Sequence, residues 1–189
     1  MIVFLLLVVT APLLAQRTIP MNIEALVSDA GMIFAGRVVD VKTGTRDPQT
    51  NLFVTYVTFE VSEPLYGVSG NRVTIKQYGG EAEGLAFYPA GMPRYSVGEE
   101  VVMLLYGPSD IGMQSPVGME QGKFAIKKDE KTRKRVVSTA VGTQSLFKKL
   151  RNPERITQKA WLRTSNPGPL EYDDFVSTIR ALIPVVKKR

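Results

Sequence analysis

The stretch FVTYVTFEVS, Phe53 to Ser62, alternates without a break. Phe53, Thr55, Val57, Phe59 and Val61 fall on one side, and Val54, Tyr56, Thr58 and Glu60 on the other. A period of two fits a β-strand and cannot line one face of a helix. A strand with one strongly apolar face must be covered, so the rest of the chain has to supply neighbours and a second layer.

The neighbours are legible. MIFAGRVVDVK, Met32 to Lys42, reads as a strand with Gly36 as a bend or bulge. RVTIKQY places Val73 and Ile75 inward against Arg72, Thr74 and Lys76 outward. EEVVMLLY is apolar on both faces and is expected to be covered on both. GKFAIKK turns Phe124 and Ile126 inward, and RKRVVST is a further short strand. GGEAEGLAFYPAGMPRYSVG reads as a long loop punctuated by Gly and Pro. A short helix capped by Asn22 and stopped by Gly31 precedes the strands. TQSLFKKLR reads as a short basic helix with Leu146, Phe147 and Leu150 as its stripe. LEYDDFVSTIRALI carries Phe175, Val176, Ile179, Leu182 and Ile183 at helical spacing, with Asp173 and Asp174 in the first turn and Pro184 as its end. The expectation is a mainly β chain: a five- to six-stranded barrel, closed or partly closed, over residues 22–140, with a short N-terminal helix. A basic segment and a C-terminal helix at 141–189 pack on it.

Residues 2–9 are uninterrupted hydrophobe and TAPLLAQ follows, which reads as an export signal over residues 1–15 cleaved after Ala15. No Lys or Arg precedes the run, and Leu13 stands where a small residue is preferred. The alternative, a membrane anchor, needs roughly 20 apolar residues. Ile2 to Ala15 falls short of that, and no later segment is long and apolar enough, so no transmembrane span is expected once the signal is removed. The expected location is outside the bacterial cytoplasm, as a secreted, periplasmic or envelope protein.

The chain has neither cysteine nor histidine. Disulfides, thiolate sites, cysteine nucleophiles and histidine triads are excluded, and no metal or cofactor is expected. The net charge of +6 is uneven: residues 16–122 carry −5, residues 123–163 carry +10 and residues 164–189 carry +1.

The order SDAGMIFAGRVVDV, TYVTFEVSEPLYG, RVTIKQYGG, GMPRYSVGEEVVMLLY and VGMEQGKFAI resembles a group of exported bacterial proteins of unassigned activity. Their layout is similar to the netrin-like module of tissue inhibitors of metalloproteinases, an OB-type barrel. The resemblance spans about residues 22–128 and implies an OB-like fold and a protein partner such as a secreted protease. The inhibitors grip a protease zinc through an N-terminal cysteine. This chain has none, so that route does not carry over.

Three features compete for the functional role. Glu99 and Glu100 are adjacent acids at a strand entrance. Neighbours on a strand face opposite sides, so they read as caps of a buried strand rather than a catalytic dyad, and no enzyme is expected. Tyr78, Phe87 and Tyr88 cluster around a glycine-rich loop, either as a contact patch or folded back on the barrel. Lys127, Lys128, Lys131, Arg133, Lys134 and Arg135 form a basic hairpin, either a solvated turn or a patch for an anionic envelope polymer. Nucleic acid is disfavoured, because the aromatics lie far from the basic run and the chain reads as exported. The leading expectation is a non-enzymatic module binding another exported protein. The alternative is an envelope-surface or polyanion binder using residues 127–135.

Overall fold

The computed structural model describes residues 19–156 and 168–187. The expected export signal at 1–15 lies outside them.

Asn22 caps α1 (Ile23–Asp29), its side-chain oxygen accepting from the Ala25 N–H at 2.9 Å. Ala30 is the C-cap and Gly31 follows it at the helix end, though without the positive φ of a glycine cap. A side chain at Gly31 would instead meet the Gly107 backbone nitrogen at 2.6 Å, so the glycine is there for close approach. The chain then forms β1 (Met32–Arg46), β2 (Phe53–Tyr66) and β3 (Arg72–Tyr78). The residues read as a long loop contain a small hairpin, β4 (Gly80–Ala82) and β5 (Leu85–Phe87). Glu83 and Gly84, both at positive φ, turn it in the manner that two-residue hairpins favour. After β6 (Glu100–Leu105) come β7 (Lys123–Lys128), β8 (Arg135–Ser138) and a two-residue β9 (Leu170–Glu171), which leads directly into α2 (Tyr172–Val186).

Seven of these strands make one antiparallel sheet in the order β3-β2-β1-β6-β7-β8-β9. This corrects the expected barrel of five or six strands: among the described residues the sheet has seven strands and does not close. The segment after β6 reaches the β3 edge, where the Gln114 N–H donates to the Lys76 carbonyl at 2.9 Å. Four register shifts between β1 and β2 bend the sheet. One falls beside Gly36, where a Cβ would sit 2.5 Å from the Glu60 carbonyl oxygen.

The bend gives the sheet two cores. Phe34, Val57, Phe59, Ile75 and Met103 fill the concave side. Ile33, Ala35, Leu104, Phe124 and Val137 face α1 and α2 on the other. The central strand β6 feeds both, as its two-sided apolar sequence requires: Val101 and Met103 go one way, Val102 and Leu104 the other. Among the described residues no helix is long and apolar enough to cross a membrane.

Two helix expectations are corrected. Residues 143–149 form turns, not a helix, although Leu146 and Phe147 are buried as expected. The backbone keeps two turn bonds, Leu146 N–H to the Thr143 carbonyl and Lys148 N–H to the Ser145 carbonyl, and gives further carbonyls to α1 and its cap. The Leu146 carbonyl accepts from the Ile23 N–H at 2.8 Å, and the Lys148 and Lys149 carbonyls accept from the Asn22 side chain at 3.1 and 3.2 Å. α2 runs past Pro184 to Val186, since a proline two residues from the helix end removes only one hydrogen bond of the last turn. Lys187 then donates to the carbonyls of Ser28 and Ala30, tying the end of α2 to the end of α1.

Asp47, closing the β1–β2 turn, is buried and paired with Lys76 at 2.7 Å; it also accepts from the Thr50 N–H and hydroxyl. The Lys76 hydrogen bond outweighs burial and lowers its pKa to about 2. A depressed carboxylate pKa stabilises the fold above the unfolded value near 3.8, and that stability is lost as pH falls through about 2. Urea midpoints measured between pH 5 and pH 2 are therefore expected to fall less steeply in Asp47→Asn than in the wild type. Parallel curves would contradict the pairing.

Candidate functional site

The clearest concavity lies on the face of β7 and β8 turned away from the helices. Phe124 and Ile126 point into the helix-side core, so alternation turns Lys123, Ala125 and Lys127 the other way. Ala125 stands opposite Ser138 in the β7–β8 register, and Ala140 follows. These small side chains leave an open cleft of about 520 Å³ between the two lysines. Its far wall is the segment Met92–Glu99, which ends at the first of the two adjacent acids.

That wall is held at several points. The Gln77 side chain, inside the concave core, donates to the Pro93 carbonyl at 2.9 Å. The Gly98 N–H donates to the Val38 carbonyl at 2.8 Å, and the Val38 N–H to the Glu99 carbonyl at 2.9 Å. Tyr95 packs edge-on against Phe59 with ring centroids 5.6 Å apart. Burial, with a smaller contribution from the Glu99 charge, pushes its hydroxyl far above the ordinary tyrosine range, so it stays protonated.

The two acids part company as alternation requires. Glu99 pairs with Lys123 at 2.8 Å on the cleft side, and Glu100 pairs with Arg37 on β1. Lys123 also donates to the Arg94 carbonyl at 2.6 Å and lies 4.7 Å from the centre of the Tyr95 ring. The acids therefore fasten the wall to the sheet and do not face each other across a substrate space. Among the described residues no three acidic side chains gather as a metal site.

The six cations of the hairpin do not form one patch. Lys127 faces the cleft. Lys128 and Arg135 pair across the strands on the opposite side, where Arg135 stacks 3.9 Å from the Tyr172 ring and meets Asp173 at 3.4 Å. Lys134 reaches Glu171 at 3.3 Å. Lys131 and Arg133 stand at the tip, where Asp129 accepts from the N–H groups of Lys131 and Thr132 and from the Thr132 hydroxyl. Those bonds, led by the Thr132 N–H, hold the Asp129 carboxyl below its usual range.

The aromatics are divided too. Tyr88 is folded back: its hydroxyl donates to Glu81 at 3.0 Å, and the Arg94 guanidinium lies 3.9 Å from its ring centre. Burial, then the Glu81 bond, raises its pKa. Tyr78 and Phe87 contact each other with centroids 5.2 Å apart, and Phe87 remains 42% exposed. Tyr78 lines a smaller recess with Met92, Tyr106 and Met113 on the other side of the wall.

Arg94, Lys123 and Ser138 were not singled out in the sequence. The Lys-x-Ala-x-Lys outer face of β7 was readable from its alternation. The arrival of Arg94, 29 residues before Lys123, was not. No protein-family model and no curated protein matches this chain.

Proposed function

We propose that this chain is an exported, non-enzymatic module that binds another exported protein, a secreted protease being the partner class its netrin-like resemblance favours. The curled sheet would then serve as an OB-like scaffold, and the cleft between Met92–Glu99 and β7–β8 as the contact surface. The observation that carries the reading is the cleft itself. It is preformed, its wall is bonded to the sheet at fixed points, and its acid Glu99 is committed to Lys123 rather than poised for chemistry. A rigid concavity with small residues on its floor suits recognition of a protruding partner segment.

The polyanion reading is second. The basic hairpin supports it, but the split of its cations over two faces and a tip leaves no continuous cationic row, and Lys134 and Arg135 already face acids.

Residues 16–189 contain every residue of the described fold. That form, immobilised and exposed to the exported fraction of its source at low and moderate salt, is expected to retain one protein at both, displaced by the free chain. Retention of only acidic polymer, lost at moderate salt, would favour the second reading, because polyanion binding weakens steeply with ionic strength. Loss of a hydrolytic activity in Glu99→Gln/Glu100→Gln would contradict the non-enzymatic assignment.

A further inference from the structure

Resting on the binding-module reading, we infer that the cleft takes an acidic side chain from an extended segment of the partner, seated between Arg94 and Lys127. The charges at the cleft divide into committed and free. Lys123 and Glu99 are committed to each other. Among the described residues the Arg94 guanidinium contacts the Tyr88 ring and has no ion-pair partner, and Lys127 has no ion-pair partner either. Both are exposed at the rim, where a carboxylate would gain charge-assisted hydrogen bonds without displacing an existing pair.

Glu120 decides between a peptide and a polymer. It is the remaining acid of the lining and has no ion pair among the described residues. Its carbonyl accepts from the Thr139 hydroxyl at 2.8 Å, which places it toward the Thr139 end of the floor. Lys127 stands toward the other end, opposite Val136. The cleft is therefore polar along its length, with the free cation Lys127 at one end and the acid Glu120 at the other. A uniformly charged polymer would bring a negative group against Glu120. A peptide that offers a carboxylate at one end and N–H donors at the other meets both.

The test is a titration of ¹⁵N-labelled residues 16–189 with the capped peptide acetyl-Gly-Ala-Glu-Ala-Gly-amide, followed by amide shifts. Shifts at Arg94, Ala125–Lys127 and Ser138 are expected. Affinity should fall about tenfold or more in Arg94→Gln/Lys127→Gln, consistent with loss of charge-assisted bonds. The glutamine version of the peptide should leave these amides in place. The variant's urea midpoint is expected to match the wild type, since both side chains are exposed. No cleft shifts up to roughly 10 mM peptide, a range that covers weak binding, would overturn the inference. So would equal affinity in the double variant, or shifts confined to residues 129–135. Dextran sulfate moving the cleft amides where the peptide does not would assign the site to a polyanion. The two readings fail separately. A partner retained equally by Arg94→Gln/Lys127→Gln sinks the carboxylate inference and leaves the binding module standing. Peptide binding with no retained partner does the reverse.

Discussion

Gly122→Ala is expected to cost about 3 kcal/mol, the upper end of what substitutions that force a packed interior apart usually cost. Gly122 leads into β7, and a Cβ there would sit 2.6 Å from the Leu104 carbonyl oxygen and 2.7 Å from both the nitrogen and the oxygen of Val117. These are backbone atoms with no rotamer to change. They are also bonded to each other, the Val117 N–H donating to the Leu104 carbonyl at 2.8 Å. Relief must therefore break that bond or push β7 off β6, and β7 carries Lys123 and Lys127 of the cleft. Gly107→Ala is the matched control: nothing lies within 4 Å of its added methyl, and its φ is not positive. It should change stability by roughly 0.5 kcal/mol or less. Urea denaturation of both variants checks the pair, and similar midpoints would contradict the close packing.

Glu24→Ala is expected to cost about 3 kcal/mol, because it removes the charged acceptor of three part-buried hydrogen bonds. Glu24 is 6% exposed. Its carboxylate accepts from the N–H groups of Arg151 and Asn152, each at 2.6 Å, and from the Asn152 side chain at 3.1 Å. With Asn22 it takes up the backbone of residues 148–152 and fixes that basic stretch to α1. Glu24→Gln keeps an acceptor oxygen and should lose about half as much. Hydrogen exchange at Arg151 and Asn152 should accelerate in the alanine variant. A loss under about 1 kcal/mol with unchanged exchange would mean that water replaces the carboxylate.

The same contact explains where the sequence was readable and where it was not. Strand positions were legible because burial follows a period of two within a few residues: Val73 and Ile75 in, Arg72 and Thr74 out. The two-sided apolar run of β6 correctly announced cover on both faces. Residues 143–149 carried a helical stripe, yet the carbonyls of Leu146, Lys148 and Lys149 and the N–H groups of Arg151 and Asn152 are taken by Ile23, Asn22 and Glu24, more than 100 positions away. No local pattern records that competition. The barrel count failed for a related reason. β9 is two residues long, and its pairing to β8 is set by where α2 docks, not by its own alternation.

The site was partly legible. The opposite outlook of Glu99 and Glu100 followed from strand geometry, and each has its own cation. The basic run is compatible in sequence with either a solvated turn or a single patch, and its division between faces is not visible there. Alternation divides a hairpin's side chains between two faces, and α2 brings Glu171 and Asp173 to one of them. Of the six, only Lys127 lines the cleft, which Arg94 also lines from a segment that the sequence marked as loop.

The most direct measurement is the hydrogen-exchange footprint of the captured partner on residues 16–189. Slowed exchange in residues 92–99, 123–127 and 138–140, with residues 129–135 unchanged, is the expected result. Protection confined to residues 129–135 and lost on raising the salt would contradict the account and place recognition on the basic hairpin.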